Sequence, residues 1–314
     1  MSYGLSVELL SDVLPIADEI NPTSVRRHLH CVAERIEGEL GDEQFQFIAG
    51  CAKDWAKQPP PGPPLTVGLD GGYVHASDQK SRTEGWFEVI AGKSVRTDGG
   101  AKVFAFVNTY DTKAKRRLYE VLKSQGLQEN QQVVFLSDGG DTVRDLQAYL
   151  SPESEHLLDW FHVTMRLTVL GCLEKHLASV KWNLWHGNVP HALQRIDDLD
   201  DDLDMLEENP ANKKKMLKAV HELRTYIEAN QAFIPNYGDR YRHEETISTA
   251  FMESTVNYVV SKRFVKQQMR WTQRGAHLLL QTRVQVLNDD LRNTFCRWFP
   301  GMMPDAQAPL KAAA

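Results

Sequence analysis

Two stretches of the chain end alike. Leu65-Thr-Val-Gly-Leu-Asp70-Gly-Gly and Val133-Val-Phe-Leu-Ser-Asp138-Gly-Gly each set an aspartate at the end of an apolar run, ahead of two glycines. An acid so placed lies at the rim of a sheet, where glycines let a ligand or metal ion approach the backbone closely. Two such aspartates on neighbouring strands raise each other's pKa unless a cation lies between them. Oxygen-only ligands of this kind suit Mg²⁺ or Mn²⁺ rather than Zn²⁺. The plainer alternative is that each aspartate caps the turn that follows it. A third acid is available on a helix after residue 246. There Ile247, Phe251, Met252, Val256 and Val259 form an apolar stripe, while Glu253, Asn257 and Ser261 fall on another face at four-residue spacing. From that face Glu253 would lean over the sheet edge toward Asp70 and Asp138. With 42 acids in the chain, composition alone does not single it out.

The elements that must position these acids follow from pattern. Residues 65–74, 85–95 and 102–109 predict three strands, 112–126 a helix ended by a glycine, and 132–137 a continuous apolar strand of a covered sheet. A short helix over 141–150 and a short strand over 156–159 complete a βββαβαβ series. Beyond it the chain reads as helical over 161–179, 190–208, 211–231 and 246–288, with a loop around 235–238. In the segment 165–243, Leu193, Ile196, Leu199, Leu203, Leu206, Met216, Val220, Leu223 and Ile227 recur at core spacing. Ahead of the strands, 5–14 and 22–40 predict two helices, with Asn21 or Thr23 as N-cap of the second. They form a plain helical hairpin or part of a helix-turn-helix. Between front helices and strands, residues 56–64 carry five prolines and predict an extended linker.

Composition bounds the function classes. The chain has 314 residues, 42% hydrophobic and 25% charged, with mean hydropathy −0.43, ordinary for a folded globular protein and unlike a disordered one. No apolar run approaches the roughly 18 residues that span a bilayer, and the first residues do not read as a signal peptide. Cys31, Cys51, Cys172 and Cys296 lie far apart, which disfavours a zinc ribbon or disulfide framework and suits reduced thiols in the cytoplasm. Net charge is −6, but residues 197–208 alone hold eight acids and no base, so the remainder carries +2. Residues 93–117 hold seven bases against two acids, and 262–297 eight against two. Such asymmetry is compatible with a polyanion-binding face; the plainer reading of any single stretch is a solvated helix face.

In their order, strand-end Asp70, strand-end Asp138 and helical Glu253, separated by 68 and 115 residues, resemble the acid triad of DDE transposases. The long second interval is similar to that of the Mutator-like superfamily, whose bacterial members are insertion-sequence transposases. Asp159-Trp160-Phe161-His162 resembles the Asp/Cys-x-x-His signature of those enzymes. Lys262-Arg263, Met269-Arg270-Trp271-Thr272, Gly275-Ala276 and Arg283 resemble the C-terminal pattern of the ISKra insertion-sequence family. The chain departs from that family at Ser248-Thr249-Ala250, where glycines are usual before the glutamate.

The resemblance covers about residues 65–295. It implies an α/β fold with a ribonuclease H-like core, a mixed sheet with flanking helices whose first part is 65–164. A helical insertion over 165–243 would precede the last core helix and basic region at 244–300. A helical segment at 1–55, the linker at 56–64 and a flexible tail at 301–314 complete the organisation. It further implies DNA strand cleavage and strand transfer, with Asp70, Asp138 and Glu253 holding two Mg²⁺ or Mn²⁺ ions about 3.5–4 Å apart. His162 would orient the scissile phosphate. Lys262, Arg263, Lys266, Arg270 and Arg274 would contact DNA, and Trp271 would stack on an exposed base. The implied partners are the terminal inverted repeats and target DNA, bound by a homo-oligomer in the bacterial cytoplasm at the nucleoid. Members of the family carry a longer N-terminal DNA-binding region, so a truncated, inactive DNA-binding remnant is one alternative. Val67-Gly-Leu-Asp-Gly-Gly-Tyr also resembles the first phosphate loop of sugar-kinase and actin-like ATPases, although no second phosphate loop or adenosine site is found.

Overall fold

The computed structural model describes residues 3–14, 20–41, 52–77, 85–150, 154–169, 174–205, 210–265 and 269–302. Two front helices, α1 (Tyr3–Val13) and α2 (Pro22–Leu40), and the single turn α3 (Ala52–Trp55) precede the sheet. Asn21 caps α2 by accepting the Ser24 N–H at 2.9 Å, as its position before Pro22 leads one to expect. Residues 56–64 run without helix or strand, since five prolines there deny the backbone its donors.

Strands β1 (Leu65–His75), β2 (Trp86–Val95), β3 (Ala101–Val107), β4 (Val133–Ser137) and β5 (Glu155–Leu158) form one mixed sheet in the order 3-2-1-4-5. The first three strands are antiparallel neighbours, while β1–β4 and β4–β5 pair in parallel. The parallel crossovers pass through α4 (Ala114–Ser124) and α5 (Asp141–Leu150). Alternation along β1 divides the core. Leu65, Val67 and Leu69 pack with Leu118 and Leu122 of α4 and with Leu146 and Leu150 of α5. Val74 and Ala76 face the other layer, with Val259, Val260, Phe264 and Leu280.

After β5 the chain is helical, through α6 (Trp160–Val169), α7 (Glu174–Trp185), α8 (Val189–Met205), α9 (Pro210–Ala229) and α10 (Tyr237–Arg242). Ile196, Leu199, Leu203, Val220, Leu223 and Ile227 are buried together, with Leu193 and Met216 half-buried against them. This is the core the spacing predicts, except Leu206, which lies outside the described residues. The cluster is not closed on itself, for Leu158 of β5 and Ile247 belong to it. Tyr237, at the start of α10 where the sequence reads as loop, donates its hydroxyl to the Leu158 carbonyl at 2.7 Å.

The stretch 246–288, expected as one helix, is broken. It comprises α11 (Ala250–Val256), a π turn (Asn257–Ser261), α12 (Lys262–Phe264), α13 (Gln273–Leu287) and then α14 (Leu291–Trp298). The break has a physical cause: the backbone at Trp271 bridges the end of β1. The Trp271 N–H donates to the His75 carbonyl at 2.8 Å, and its carbonyl accepts the Ser77 N–H at 2.9 Å. A backbone paired sideways to a strand cannot also serve a helix.

The front helices are docked on this body. The fully buried Arg117 of α4 donates to Glu37 of α2 at 2.9 Å, to Asp111 at 3.0 Å and to Gln281 of α13 at 2.6 Å. Beside it, His277 Nε2 lies 3.4 Å from Glu37. Burial alone would raise the Glu37 carboxyl, but hydrogen bonding to His277 and the Arg117 charge hold it down at about 2. A carboxyl with a lower pKa folded than unfolded stabilises fully above its ordinary value and loses that contribution as pH falls through the folded value. Urea unfolding should therefore show the parent losing stability between pH 4.5 and 2 more steeply than Glu37→Gln. At pH 7 that variant should be weaker by about 1–3 kcal/mol. Parallel pH profiles for the two proteins would contradict the docking role of Glu37.

Candidate active site

Strand register brings the acids together. Gly68 of β1 pairs with Leu136 of β4, and Ser137 of β4 with Leu158 of β5. Continued by two residues and by one, these registers set Asp70 beside Asp138 and Asp138 beside Asp159. The 68 residues between the two Asp-Gly-Gly aspartates equal the offset of the β1–β4 pairing, so both point to the same face. At about 4.8 Å per strand, the backbone positions of the three acids form a row that spans about 10 Å across the sheet. Burial pushes the Asp70 carboxyl up; Asp138 and Asp159 add to this, while His162 and the Gly71 N–H oppose it.

The three acids of the row are held differently. Asp70 accepts its neighbour Gly71 N–H at 2.8 Å, and the exposed Asp138 accepts the Gly140 N–H at 3.2 Å. Asp159 is fully buried. It accepts the Phe161 N–H at 2.9 Å, capping α6, and the Thr249 N–H at 2.9 Å. The Thr249 hydroxyl donates to its second oxygen. His162, one turn into α6, places Nε2 3.6 Å from that oxygen. Asp159 thus ties the end of β5 to the residue that begins α11. Thr249 stands in the stretch where the resembled family tends to carry glycine, and here it performs this tie.

Helix α11 lies on the same face as Asp70. A Cβ added at Gly68 would meet Met252 Cγ at 2.7 Å and Phe251 Cε2 at 2.9 Å, and one at Gly72 would meet Val256 at 3.2 Å. Asp70 sits between these two glycines on the even-numbered face of β1, so α11 crosses directly above it. Glu253 stands exposed in the first turn of α11, between Met252 and Val256. The trio of metal-ligand side chains drawn within 4.8 Å of one another among the described residues is elsewhere: Glu37, Asp111 and His277. Asp70, Asp138 and Glu253 do not gather that closely. In the other trio Arg117 already supplies the positive charge.

The helical segment clamps the Asp138 loop. Tyr226 of α9 donates its hydroxyl to the Asp138 carbonyl at 3.0 Å, and Arg166 lies 3.8 Å from the centre of its ring. Burial, with Asp138 and Asp159, pushes the Tyr226 hydroxyl above its ordinary value against the pull of Arg166. Gly139 has φ +96°, and a Cβ there would lie 2.2 Å from Asn230 Oδ1, so both backbone and space demand glycine. Below the loop, His156 Nε2 lies 2.9 Å from Ser137 Oγ. Burial, helped by Arg144, holds His156 down at about 4.

The basic residues expected at DNA divide. Lys262, Arg270 and Arg274 are exposed, with Arg274 paired to Glu34. Arg263 is turned toward the rings of Tyr3 and Trp271, 5.6 and 5.1 Å from their centres. Trp271 packs on Phe264 and donates its Nε1–H to the Phe264 carbonyl at 3.2 Å, so part of its surface serves the core. Lys266 lies outside the described residues. Of the acidic run, Asp197, Asp198, Asp200, Asp201 and Asp202 are exposed.

The sequence marks Asp159 only as the first residue of the Asp-x-x-His signature, without its anchoring role, and does not mark Thr249 or Tyr226 as builders of the site. A signal for the first was present, since an aspartate two residues before Phe161 at a helix start is a capping pattern. No local signal marks Thr249 or Tyr226, whose partners are 90 and 88 residues away. No protein-family model matches the chain, and no curated protein matches it.

Gly68→Ala should cost about 1–3 kcal/mol in urea unfolding, because α11 must lift to admit the methyl group. Gly72→Ala, with its nearest contact half an ångström farther, should cost less. Equal and negligible losses would show that α11 does not press on β1 at Gly68.

Proposed function

We propose that the protein is a metal-dependent enzyme of DNA strand cleavage and strand transfer, a DDE-type transposase with a ribonuclease H-like core. The observation that carries this reading is the register that aligns Asp70 and Asp138 on one face, with α11 and Glu253 above them. The strand order 3-2-1-4-5, with one antiparallel and one parallel half, supports the ribonuclease H-like assignment. The donor set fits Mg²⁺ or Mn²⁺: it consists of carboxylate oxygens, and the Asp70 charge, disfavoured first by burial and then by Asp138 and Asp159, is one that a cation would stabilise. Asp70, Asp138 and Glu253 would hold the ions, which when bound stabilise the charge developing on a phosphate and its attacking and leaving oxygens.

The chain's own residues do the positioning. Asp159 anchors both α6 and the start of α11, so the same carboxylate sets the height of His162 and of Glu253 over the sheet. His162 lies close enough to act electrostatically on Asp70, where an imidazole N–H can orient a phosphate oxygen. Lys262, exposed beyond α11, would meet the backbone of a strand led to that edge. The exposed acids of α8 repel phosphates and keep the helical segment off the DNA path. Terminal repeats, target DNA and a second copy of the chain are the proposed partners, in the cytoplasm. Among the described residues no helix is long and apolar enough to cross a membrane.

Asp70→Asn tests the reading. On plasmid DNA carrying the flanks of its gene, with Mg²⁺, the parent should nick and join strands, and the variant should fall by about 10³-fold or more. Asp70 has a raised pKa in the folded state, so its ionised form is disfavoured by folding above the ordinary carboxylate value. Asn removes that penalty, and without metal at pH 7 the variant should melt at the same temperature as the parent or higher. Parental cleavage by the Asp70→Asn protein would overturn the assignment.

A further inference from the structure

A second site lies about 20 Å from Asp70. Ser77, seven residues farther along the line of β1, borders a hollow of about 360 Å³ between the front helices and the segment that precedes α13. Arg26 of α2 and Arg270 stand exposed at its rim, Arg263 and His30 line it deeper, and the rings of Tyr3 and Trp271 form its walls. Three guanidinium groups and an imidazole meet there, and no described lining residue is acidic. The buried Arg117, by contrast, is matched by Glu37 and Asp111. Among the described residues Arg263 meets the two aromatic faces and Met269 Sδ at 3.6 Å.

Two polar atoms at the same place carry the argument further. Tyr3 Oη and His30 Nε2 are buried and make no hydrogen bond among the described residues. An unpartnered buried polar atom is costly to the fold, so two of them beside guanidinium groups with no acidic lining partner among the described residues mark a place shaped for a hydrogen-bonding anion. Burial lowers the pKa of Arg263, with Tyr3 opposing. Burial also lowers that of His30, and Arg26 and Arg274 lower it further against Glu34. A bound anion would reverse each of these penalties.

We propose that this hollow is a phosphate-binding site, with Arg26, Arg263 and Arg270 as its cations and Tyr3 and His30 as hydrogen-bond donors. Guanidinium groups match phosphate oxygens in paired hydrogen bonds, and the volume admits a phosphate with an attached sugar but no large ligand. Because α1 and α2 supply Tyr3, Arg26 and His30, the site exists only while the front helices are docked. The source of the phosphate is either a nucleic-acid backbone or a small free phosphate. The first source rests on the function proposed above; the site itself does not.

The test is binding without divalent metal, so that its outcome is independent of strand cleavage. Anisotropy of a labelled ten-nucleotide oligothymidylate and melting shifts with inorganic phosphate are compared at constant ionic strength for the parent and for Arg26→Ala/Arg270→Ala. Both residues are exposed, so folding should survive, and unchanged melting without ligand verifies it. Weaker oligonucleotide binding by the double variant, about tenfold, with a salt slope smaller by about two, supports the site and a backbone source. A melting shift with inorganic phosphate that the variant loses, with oligonucleotide binding unchanged, supports the site and a small-phosphate source. Equal response of both proteins to both probes overturns the proposal. Loss of cleavage in Asp70→Asn with this binding intact would separate the two sites.

Discussion

Parallel pairing of β1 with β4 and of β4 with β5 forces Asp70, Asp138 and Asp159 into one row, and like charges so placed repel. The surroundings resolve that repulsion unequally. Asp159 is buried and satisfied by donors from Phe161 and Thr249, which makes its charge a structural anchor. Asp138 stays exposed, while burial, joined by the nearby Asp138 and Asp159, raises the carboxyl of the half-buried Asp70 against the pull of His162. A site that keeps charge strained at one defined atom is destabilising for the fold and useful for binding a cation.

Much of the remaining architecture serves to hold this edge. Gly68 and Gly72 admit α11 close to β1, and Thr249 fixes where that helix begins. Tyr226 of α9 and Asn230, which follows that helix, hold the loop after β4, so the helical segment between Asp138 and Glu253 acts as a brace for Asp138. On the opposite side of α13, Arg117 links α2, α4 and α13 through Glu37, Asp111 and Gln281. That link seats the front helices against the segment bearing Arg263 and Trp271.

The strands and most helices were legible from the sequence because alternation and 3.6-residue spacing are local. Asp70 and Asp138 stood out for the same reason, as each closes an apolar run before two glycines. The equality of their separation with the β1–β4 offset required knowing the register, which rests on pairing across the whole of α4. The break between α12 and α13 was hidden, because the pairing of Trp271 with His75 and Ser77 competes with a helix-compatible sequence. The docking of α2 was equally hidden, since Glu37 and Arg117 lie 80 residues apart and a single ion pair leaves no periodic trace. The basic C-terminal stretch read as one DNA-facing patch; the fold turns Arg263 inward and leaves Lys262 and Arg270 outside.

In the function proposed above, Asp70 and Asp138 bind divalent cations together with Glu253. The most direct measurement is the anomalous scattering of crystals grown with Mn²⁺. The account predicts density about 2.1 Å from carboxylate oxygens of both Asp70 and Asp138, with Glu253 drawn in to complete the oxygen shell. Mn²⁺ found among Glu37, Asp111 and His277 while the row binds none would contradict it.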